Sequence, residues 1–192
     1  MPTRRATSSA VYHLRLMLRD IEPPIWRLIE VPAQITLVQL HGVIQIVMGW
    51  LDYHLHEFRI GGVRYGSPDS HLDDDTVDER RRRLADLAPT ADTVFEYAYD
   101  FGDSWEVEVR VEAIEAAGRG GYPKLLDGAR SAPPEDVGGT PGYEHFLEVI
   151  ADPTHEEHED LVDWIGFEFD PEWLDIKGTN VALEQRSEAK IR

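Results

Sequence analysis

The chain has 192 residues, 42% of them hydrophobic, so it can bury a core within one domain and is not a disordered acidic tail. It contains no cysteine, which excludes a disulfide framework, thiolate metal ligands and cysteine nucleophiles. Nineteen Lys and Arg residues against 37 Asp and Glu residues give a net charge of −18, which disfavours direct binding to nucleic acid.

The N-terminal part of the sequence predicts a hairpin followed by a helix. Residues 11–19 alternate apolar and polar side chains, as a half-buried strand does, and residues 25–31 follow as a second strand. Thr36 is a suitable N-cap for a helix that runs to about Met48, because apolar side chains recur at helical spacing and Gly49 can end it.

Two more hairpins are predicted in the middle of the chain. Residues 53–60 alternate and meet residues 63–66 through a two-glycine turn. Residues 93–99 and 104–114 form the other hairpin, around an Asp-Phe-Gly-Asp turn. Between the two hairpins lies a polar segment, 67–92, with a short helix near residues 84–87.

The C-terminal part predicts a long loop and then helices. Residues 117–142 hold seven of the fifteen glycines, which favours a loop. Helices are expected over 143–151, 155–165 and 180–187, the last capped by Asn180.

These elements predict an α+β fold, in which antiparallel hairpins pack with one helix of the N-terminal half and a C-terminal helical lobe follows from about residue 143. We expect a flexible N-terminus over 1–10, one domain over 11–183 and a C-terminal tail over 184–192. No apolar run approaches the ~20 residues of a membrane span, and no signal peptide is recognisable, which favours a cytoplasmic protein without membrane contact.

Two histidines and two aspartates are the first candidates for chemistry. His54 and His56 are two residues apart on a predicted strand, so both side chains are expected on one face and could share a metal or a substrate. Hydrogen-bonded histidines at the edge of the core are the alternative, because Phe58 lies on that face too. Asp100 and Asp103 suit a turn through local hydrogen bonds, yet beside the histidines they could complete a divalent cation site.

The acidic segment 144–175 contains twelve Asp or Glu residues and no Lys or Arg. Such a segment is either a solvated helical surface or a surface that attracts a basic segment of another protein. The sequence has no nucleophile elbow, phosphate-binding P-loop or dinucleotide fingerprint, so it gives no support to those enzyme classes.

Six phrases taken together resemble the plasmid pRiA4b ORF-3-like family over about residues 11–183: IEPPIWR, LHGVIQIVMGW, YHLHEFRIGG, YDFGDSWEVEV, LDGARSAPPEDVGG and FDPEWLD. The resemblance implies a compact α+β domain without an assigned biochemical activity, carried on plasmids and insertion elements. It also implies that many relatives have cysteine or histidine at four positions that are apolar here, where packing would replace a structural metal: Val107, Leu125, Ala132 and Val137.

The loop 117–142 could fold back over the hairpins and bring Glu135 or Asp136 close to the histidines and Asp100. Alternatively, Asp127 and Asp136 only bond backbone N–H groups and hold the loop down. The candidate pocket that follows contains seven residues: His54, His56, Asp100, Asp103, Trp105, Glu135 and Asp136.

Two functions follow from this pocket. The favoured one is a non-enzymatic binding or accessory module without a cofactor, which uses a groove between the hairpins and the loop. Trp26, Trp50 and Trp105 are the expected apolar walls of this groove. Its ligand would be a protein or peptide, and the acidic segment makes a basic one a candidate. The alternative is a divalent-metal-dependent hydrolase or nuclease. In that alternative Glu135 or Asp136 handles a proton, and the metal ligands are His54, His56, Asp100 and Asp103.

Overall fold

The α+β prediction is confirmed by the computed structural model, which describes residues 10–68, 75–118 and 120–189. Over these residues the chain forms eight strands and five helices. In chain order they are β1 (Ala10–Leu18), β2 (Trp26–Pro32), α1 (Leu37–Met48), β3 (His56–Ile60), β4 (Val63–Gly66), β5 (Val77–Asp78), α2 (Leu84–Leu87), β6 (Val94–Tyr99), β7 (Trp105–Ala116), β8 (Lys124–Ala129), α3 (Gly139–Ala151), α4 (His158–Ile165) and α5 (Ile176–Ala189).

The eight strands form one sheet in the order β5-β4-β3-β6-β7-β1-β2-β8. The three predicted hairpins are confirmed as the antiparallel pairs β1-β2, β3-β4 and β6-β7. The short strand β5 pairs with β4 in parallel, which makes the sheet mixed. Because β3 also pairs with β6 in antiparallel fashion, the start of β3 lies beside the end of β6, and the candidate site forms at that point.

One face of the sheet is apolar and the other is charged, as the period of two along each strand requires. On the apolar face Leu14 and Leu16 of β1 and Val107 and Val109 of β7 are fully buried, and they share one core with the apolar side chains of α1. On the charged face the side chains form ion pairs, and some of these reach across a strand that lies between the two partners. These include Arg19 with Glu96 at 2.8 Å and Arg59 with Glu106 at 3.0 Å.

Helix α1 begins and ends where the sequence predicts. Thr36 and Gln39 form a reciprocal capping box at its start, and Gly49, with φ of 75°, ends it in the left-handed region. The buried Arg27 donates from Nε to the carbonyl of Val47 at 2.7 Å and so satisfies one of the last helical carbonyls. Burial lowers the pKa of the Arg27 guanidinium to about 10, so it keeps its charge at neutral pH.

The prediction of a loop over 117–142 is wrong for ten of its 26 residues, 124–129 and 139–142. Residues 124–129 form β8, which pairs with β2, and α3 begins at Gly139. Asn180 is not a cap but lies inside α5, where its amide accepts from the N–H of Leu125 at 2.8 Å and donates to the Leu125 carbonyl at 2.9 Å. The side chain of a helix thus takes the place of a neighbouring strand at the free edge of β8.

The C-terminal helices do not form one separate lobe. Leu183 of α5 is fully buried in the main core, whereas α4 contacts α3. The helix α5 also continues through 184–189, which the sequence assigns to a tail, and Ala10 belongs to β1 and not to a flexible terminus. The rest of the predicted N-terminus, 1–9, and of the predicted tail, 190–192, lies outside the described residues. The same holds for residues 69–74 of the polar segment. None of the helices in the described ranges is long and apolar enough to cross a bilayer.

Replacing Asn180 by alanine is expected to lower the free energy of unfolding by about 1–3 kcal/mol, because both polar groups of Leu125 lose their partner at a half-buried position. Urea denaturation measures this change. The matched control is Gln185→Ala, an exposed position on the same helix, which is expected to change stability by less than about 0.5 kcal/mol. Equal effects of the two substitutions would contradict the edge role of Asn180.

Candidate functional site

The site lies where the chain after α1, the end of β6 and the segment 131–138 meet. Trp50 joins the three, since its indole N–H donates to the carbonyl of Pro133 at 3.1 Å and its ring stacks on Tyr99 with centroids 4.8 Å apart. Trp50 is 5% exposed, so this contact is buried. The segment 131–138 is therefore folded over the end of the strands, as the sequence analysis considered for the Pro-Pro-Glu-Asp stretch.

The loop 51–55 is held by its backbone, and it carries His54. The N–H of Leu51 donates to Oε1 of Glu135 at 2.7 Å, and the N–H of Tyr53 donates to the hydroxyl of Tyr99 at 3.1 Å. The same hydroxyl donates to Oε1 of Glu135 at 2.8 Å. One carboxylate oxygen of Glu135 is thus fully used in positioning, while its other oxygen, Oε2, turns toward His54.

Asp100 occupies the left-handed region with φ of 54°, which aspartate tolerates better than most residues. Its Oδ1 accepts from the N–H groups of Gly102 at 2.9 Å and Asp103 at 3.3 Å, and its own N–H donates to the carbonyl of Leu55. These bonds fix the turn between β6 and β7. They leave Oδ2 of Asp100 to face the imidazole of His54.

Three carboxylates surround one imidazole nitrogen. Nε2 of His54 lies 3.1 Å from Oδ1 of Asp136, 3.5 Å from Oδ2 of Asp100 and 3.8 Å from Oε2 of Glu135. Both Nε2 of His54 and Oε2 of Glu135 are buried from solvent, and neither has a hydrogen-bond partner. A buried polar atom without a partner costs about 1–3 kcal/mol, so this arrangement suits a bound group that would satisfy both atoms.

The spacing of these atoms suits a cation. The donor atoms of His54, Asp100 and Asp136 lie within 4.8 Å of one another, and no other group of three such side chains in the described part of the chain meets this condition. A metal with bonds of about 2.0–2.2 Å separates adjacent ligand atoms by roughly 3.0–3.5 Å. Three carboxyl groups around one imidazole also concentrate oxygen and nitrogen donors of the kind that a divalent cation takes.

His56 does not join this cluster. It is the first residue of β3, so the alternation along the strand does not extend back to His54, which lies in the preceding loop. The His56 ring stacks on His41 with centroids 3.6 Å apart, and its Nε2 lies 3.0 Å from both carboxylate oxygens of Glu79. The prediction that the two histidines share a site is wrong, and its alternative, a hydrogen-bonded histidine of the core, describes His56.

Asp103 and Trp105 also lie elsewhere. Oδ2 of Asp103 accepts from the N–H of Gly138 at 3.0 Å, so Asp103 anchors the end of the segment 131–138 and is not one of the convergent donors. Trp105 is 2% exposed in the core and cannot be the wall of an open groove. Of the four predicted ligands, His54 and Asp100 therefore lie in the cluster, and His56 and Asp103 do not. Asp136 and Glu135 lie there beside His54 instead.

A buried polar network lies beside the site around His41. The apolar neighbours of His41 on the predicted helix favour a buried, hydrogen-bonded histidine, as observed, but the sequence did not indicate its partners. Nδ1 of His41 accepts from the hydroxyl of Tyr97 at 2.8 Å, which in turn accepts from Nε2 of Gln45 at 2.9 Å. Nε2 of His41 donates to Asp52 at 2.8 Å. Burial lowers the pKa of His41 to about 4 and raises that of Tyr97, so both are neutral at neutral pH.

An exposed apolar rim, formed by four side chains, borders the cluster. Each member either adjoins His54 or Asp100 in the chain or, like Leu51, is bonded to Glu135 through its N–H. The four are Leu51 (58% exposed), Tyr53 (70%), Leu55 (45%) and Phe101 (41%). Exposed apolar side chains grouped around polar atoms are typical of a binding surface. The sequence analysis did not single out these four residues. Their positions on both sides of His54 and directly after Asp100 could have indicated them.

The chain is an α+β protein with a histidine–carboxylate site where the start of β3 meets the end of β6. Comparison with known proteins identifies its family. Residues 10–178 match the model of the plasmid pRiA4b ORF-3-like proteins, and the chain belongs to this family. The "Uncharacterized protein y4hQ" of Sinorhizobium fredii (strain NBRC 101917 / NGR234) is 42% identical over 160 residues, which is 82% of each chain.

A solved structure is similar as well. The crystal structure of a "Protein of Unknown Function", MM3350 from Methanosarcina mazei Go1, is 44% identical and superposes with a TM-score of 0.79 over 88% of this chain and 97% of that chain. Two of the four positions at which the resemblance implies cysteine or histidine in relatives, Val107 and Leu125, are buried in the core here, and Ala132 and Val137 pack against it. Replacement of a metal by packing at these positions stays a prediction.

Proposed function

We propose that the protein is a metal-dependent binding module. His54, Asp100 and Asp136 hold a divalent cation, and the cation with the exposed apolar rim (Leu51, Tyr53, Leu55 and Phe101) holds a ligand. The observation that carries the proposal is the buried Nε2 of His54, which has three carboxylates around it and no hydrogen-bond partner.

The chemistry of the donors narrows the choice of cation. Imidazole favours Zn²⁺ and Fe²⁺, whereas carboxylates favour Mn²⁺ and Mg²⁺, so a mixed set suits Mn²⁺, Fe²⁺ or Zn²⁺ better than Ca²⁺. Three protein ligands leave at least one coordination position open. A ligand would place an oxygen or nitrogen donor at that position and its apolar surface on the rim.

The exposure of the cluster and the net charge of the protein limit the kind of ligand that fits. Asp136 has a side chain that is 66% exposed, so the cluster is reached from solvent on that side, while the side chain of Asp100 is 8% exposed and forms the floor. With the net charge of −18, a polyanionic nucleic acid is disfavoured as the ligand. A peptide or a small molecule with one donor group fits these features.

A metal-dependent hydrolase is the second candidate, and Glu135 favours it. Its Oε1 is fixed by Leu51 and Tyr99, and its Oε2 is buried and free of hydrogen bonds at 3.8 Å from Nε2 of His54. A carboxylate held in this way could accept the proton of a water molecule that attacks a substrate at the cation. Turnover of ester or phosphoester substrates that is lost in Glu135→Gln, while the cation still binds, would favour the enzyme over the binding module.

The first test of the proposed function is isothermal titration of metal-free protein with Mn²⁺ and Zn²⁺. We expect one cation per chain, and the substitution His54→Gln is expected to lower the affinity about tenfold or more, because it removes a direct ligand. The matched control is His145→Gln, a half-exposed histidine of α3 that pairs with Glu157. Equal affinities of wild-type protein and His54→Gln, or the absence of binding to wild-type protein, would overturn the proposed cation site.

A further inference from the structure

Helix α4 leaves much of its apolar side uncovered. None of its eight residues is buried, although Leu161, Val162 and Ile165 recur at helical spacing. Val162 is 41% exposed, while Leu161 and Ile165 pack against the core from its margin. Trp164 points elsewhere, since its ring meets the buried Phe146 edge to face at 5.9 Å. A helix with this pattern normally buries its apolar side against another element.

A cleft of about 490 Å³ lies beside this uncovered side, between the end of α3 and the residues that follow α4. Its apolar lining includes Ile150, Val162 and Phe167, and Phe167 is 61% exposed. Phe169 also lines the cleft, and its ring meets the buried Phe146 edge to face at 5.2 Å. This contact fixes that part of the cleft to the core. A preformed apolar cleft with an exposed aromatic ring has the features of a peptide-binding groove.

The charge around the cleft is of one sign. The cleft lies within the acidic segment 144–175, which carries twelve carboxylates and no Lys or Arg. Asp163 and Glu168 line the cleft itself, and no described Lys, Arg or His side chain forms an ion pair with either. A second copy of the chain would bring the same negative charges to the contact, so like-charge repulsion disfavours self-association here.

We propose that this cleft docks a basic amphipathic helix of a partner protein. The apolar side of that helix would cover Val162 and Phe167, and its Lys or Arg residues would pair with Asp163, Glu168 and the neighbouring carboxylates. Docking of an amphipathic helix in an apolar groove is a common recognition mode. The proposal uses none of the residues of the cation site and does not depend on the proposed function.

The experiment uses the full chain and a labelled synthetic probe, a Leu/Lys amphipathic peptide of about 18 residues, in fluorescence anisotropy. The substitution pair Val162→Ser/Phe167→Ser is expected to weaken binding about tenfold or more, because it removes the apolar contact. Asp163→Asn/Glu168→Gln is expected to weaken binding about three- to tenfold at low salt and less at high salt.

The matched controls are Leu126→Ser for the apolar pair and Glu115→Gln/Glu184→Gln for the charged pair, all at exposed positions outside the cleft. These variants are expected to change affinity less than about twofold. Equal weakening by the control and cleft variants would show binding to the net charge alone and overturn the proposal. It would also be overturned by equal binding of a Leu/Glu peptide, or by self-association that Val162→Ser/Phe167→Ser abolishes. Circular dichroism melting checks that each variant is folded.

Discussion

Replacing Asp100 by asparagine is expected to lower the affinity for Mn²⁺ or Zn²⁺ about 100-fold or more while changing the free energy of unfolding by less than about 1 kcal/mol. The two carboxylate oxygens have separate tasks. Oδ1 accepts from the N–H groups of Gly102 and Asp103, so the amide oxygen of asparagine must take that position. The amide NH₂ then faces His54 and the cation, where it has no lone pair to offer.

Titration calorimetry measures the affinity and urea denaturation the stability. Asp103→Asn is the matched control, because the carboxylate of Asp103 accepts from the N–H of Gly138 beside the cluster and an amide oxygen can still accept there. Asp100→Ala is expected to lose both affinity and stability, since it removes the turn bonds as well. Wild-type affinity in Asp100→Asn would show that Asp100 is not a ligand.

The local signals in the sequence predict most of the scaffold. The alternation of Trp105, Val107 and Val109 with charged residues determines which face of β7 is buried, and this pattern needs no knowledge of the rest of the fold. The start of α1 is equally local, since the capping box joins Thr36 to Gln39 only three residues later. Elements of this kind are specified by their own side chains.

Elements that depend on distant partners could not be predicted. The strand β8 lies in a glycine-rich segment, but it pairs with β2 and exchanges two hydrogen bonds with Asn180, which follows Leu125 by 55 residues. These tertiary contacts outweigh the weak strand preference of the segment. For the same reason Asn180 suggested a helix cap, the commonest local use of asparagine, and not an interior bond to a strand.

The candidate site was predictable only in part. That Glu135 or Asp136 could approach His54 and Asp100 follows from the stiff diproline and the possible return of the loop, and the structure has this arrangement. The separation of His54 from His56 was not predictable, because it depends on where the strand begins. Glu79, the partner of His56, lies 23 residues away in a segment without periodicity, so no pattern pointed to it.

The buried histidine network makes the stability of the fold depend on pH. Lowering the pH from about 7 to about 4 is expected to reduce the free energy of unfolding by about 3 kcal/mol through His41 alone. Burial, and after it the charge of the stacked His56, lower the pKa of His41 to about 4, against opposing contributions from Asp52 and Glu79. The unfolded chain binds a proton at His41 below about pH 6.5, whereas the folded chain binds it only near pH 4. The contribution of neutral His41 to the free energy of unfolding is therefore fully present above pH 6.5 and is lost as the pH falls toward the folded pKa.

The measurement is urea denaturation at several pH values for wild-type protein and His41→Gln. Glutamine is polar and does not titrate, so the variant is expected to lack about 3 kcal/mol of the acid-dependent loss, whatever its stability at neutral pH. Titration of the many surface carboxylates is common to both proteins and cancels in the difference. His13→Gln is the matched control, because His13 is a partly exposed histidine that pairs with Glu30 on β2. Removing a buried group that resists protonation must flatten the plot of unfolding free energy against pH. If His41→Gln and wild-type protein lost stability in parallel on acidification, the buried neutral histidine would therefore not be the source of the pH dependence.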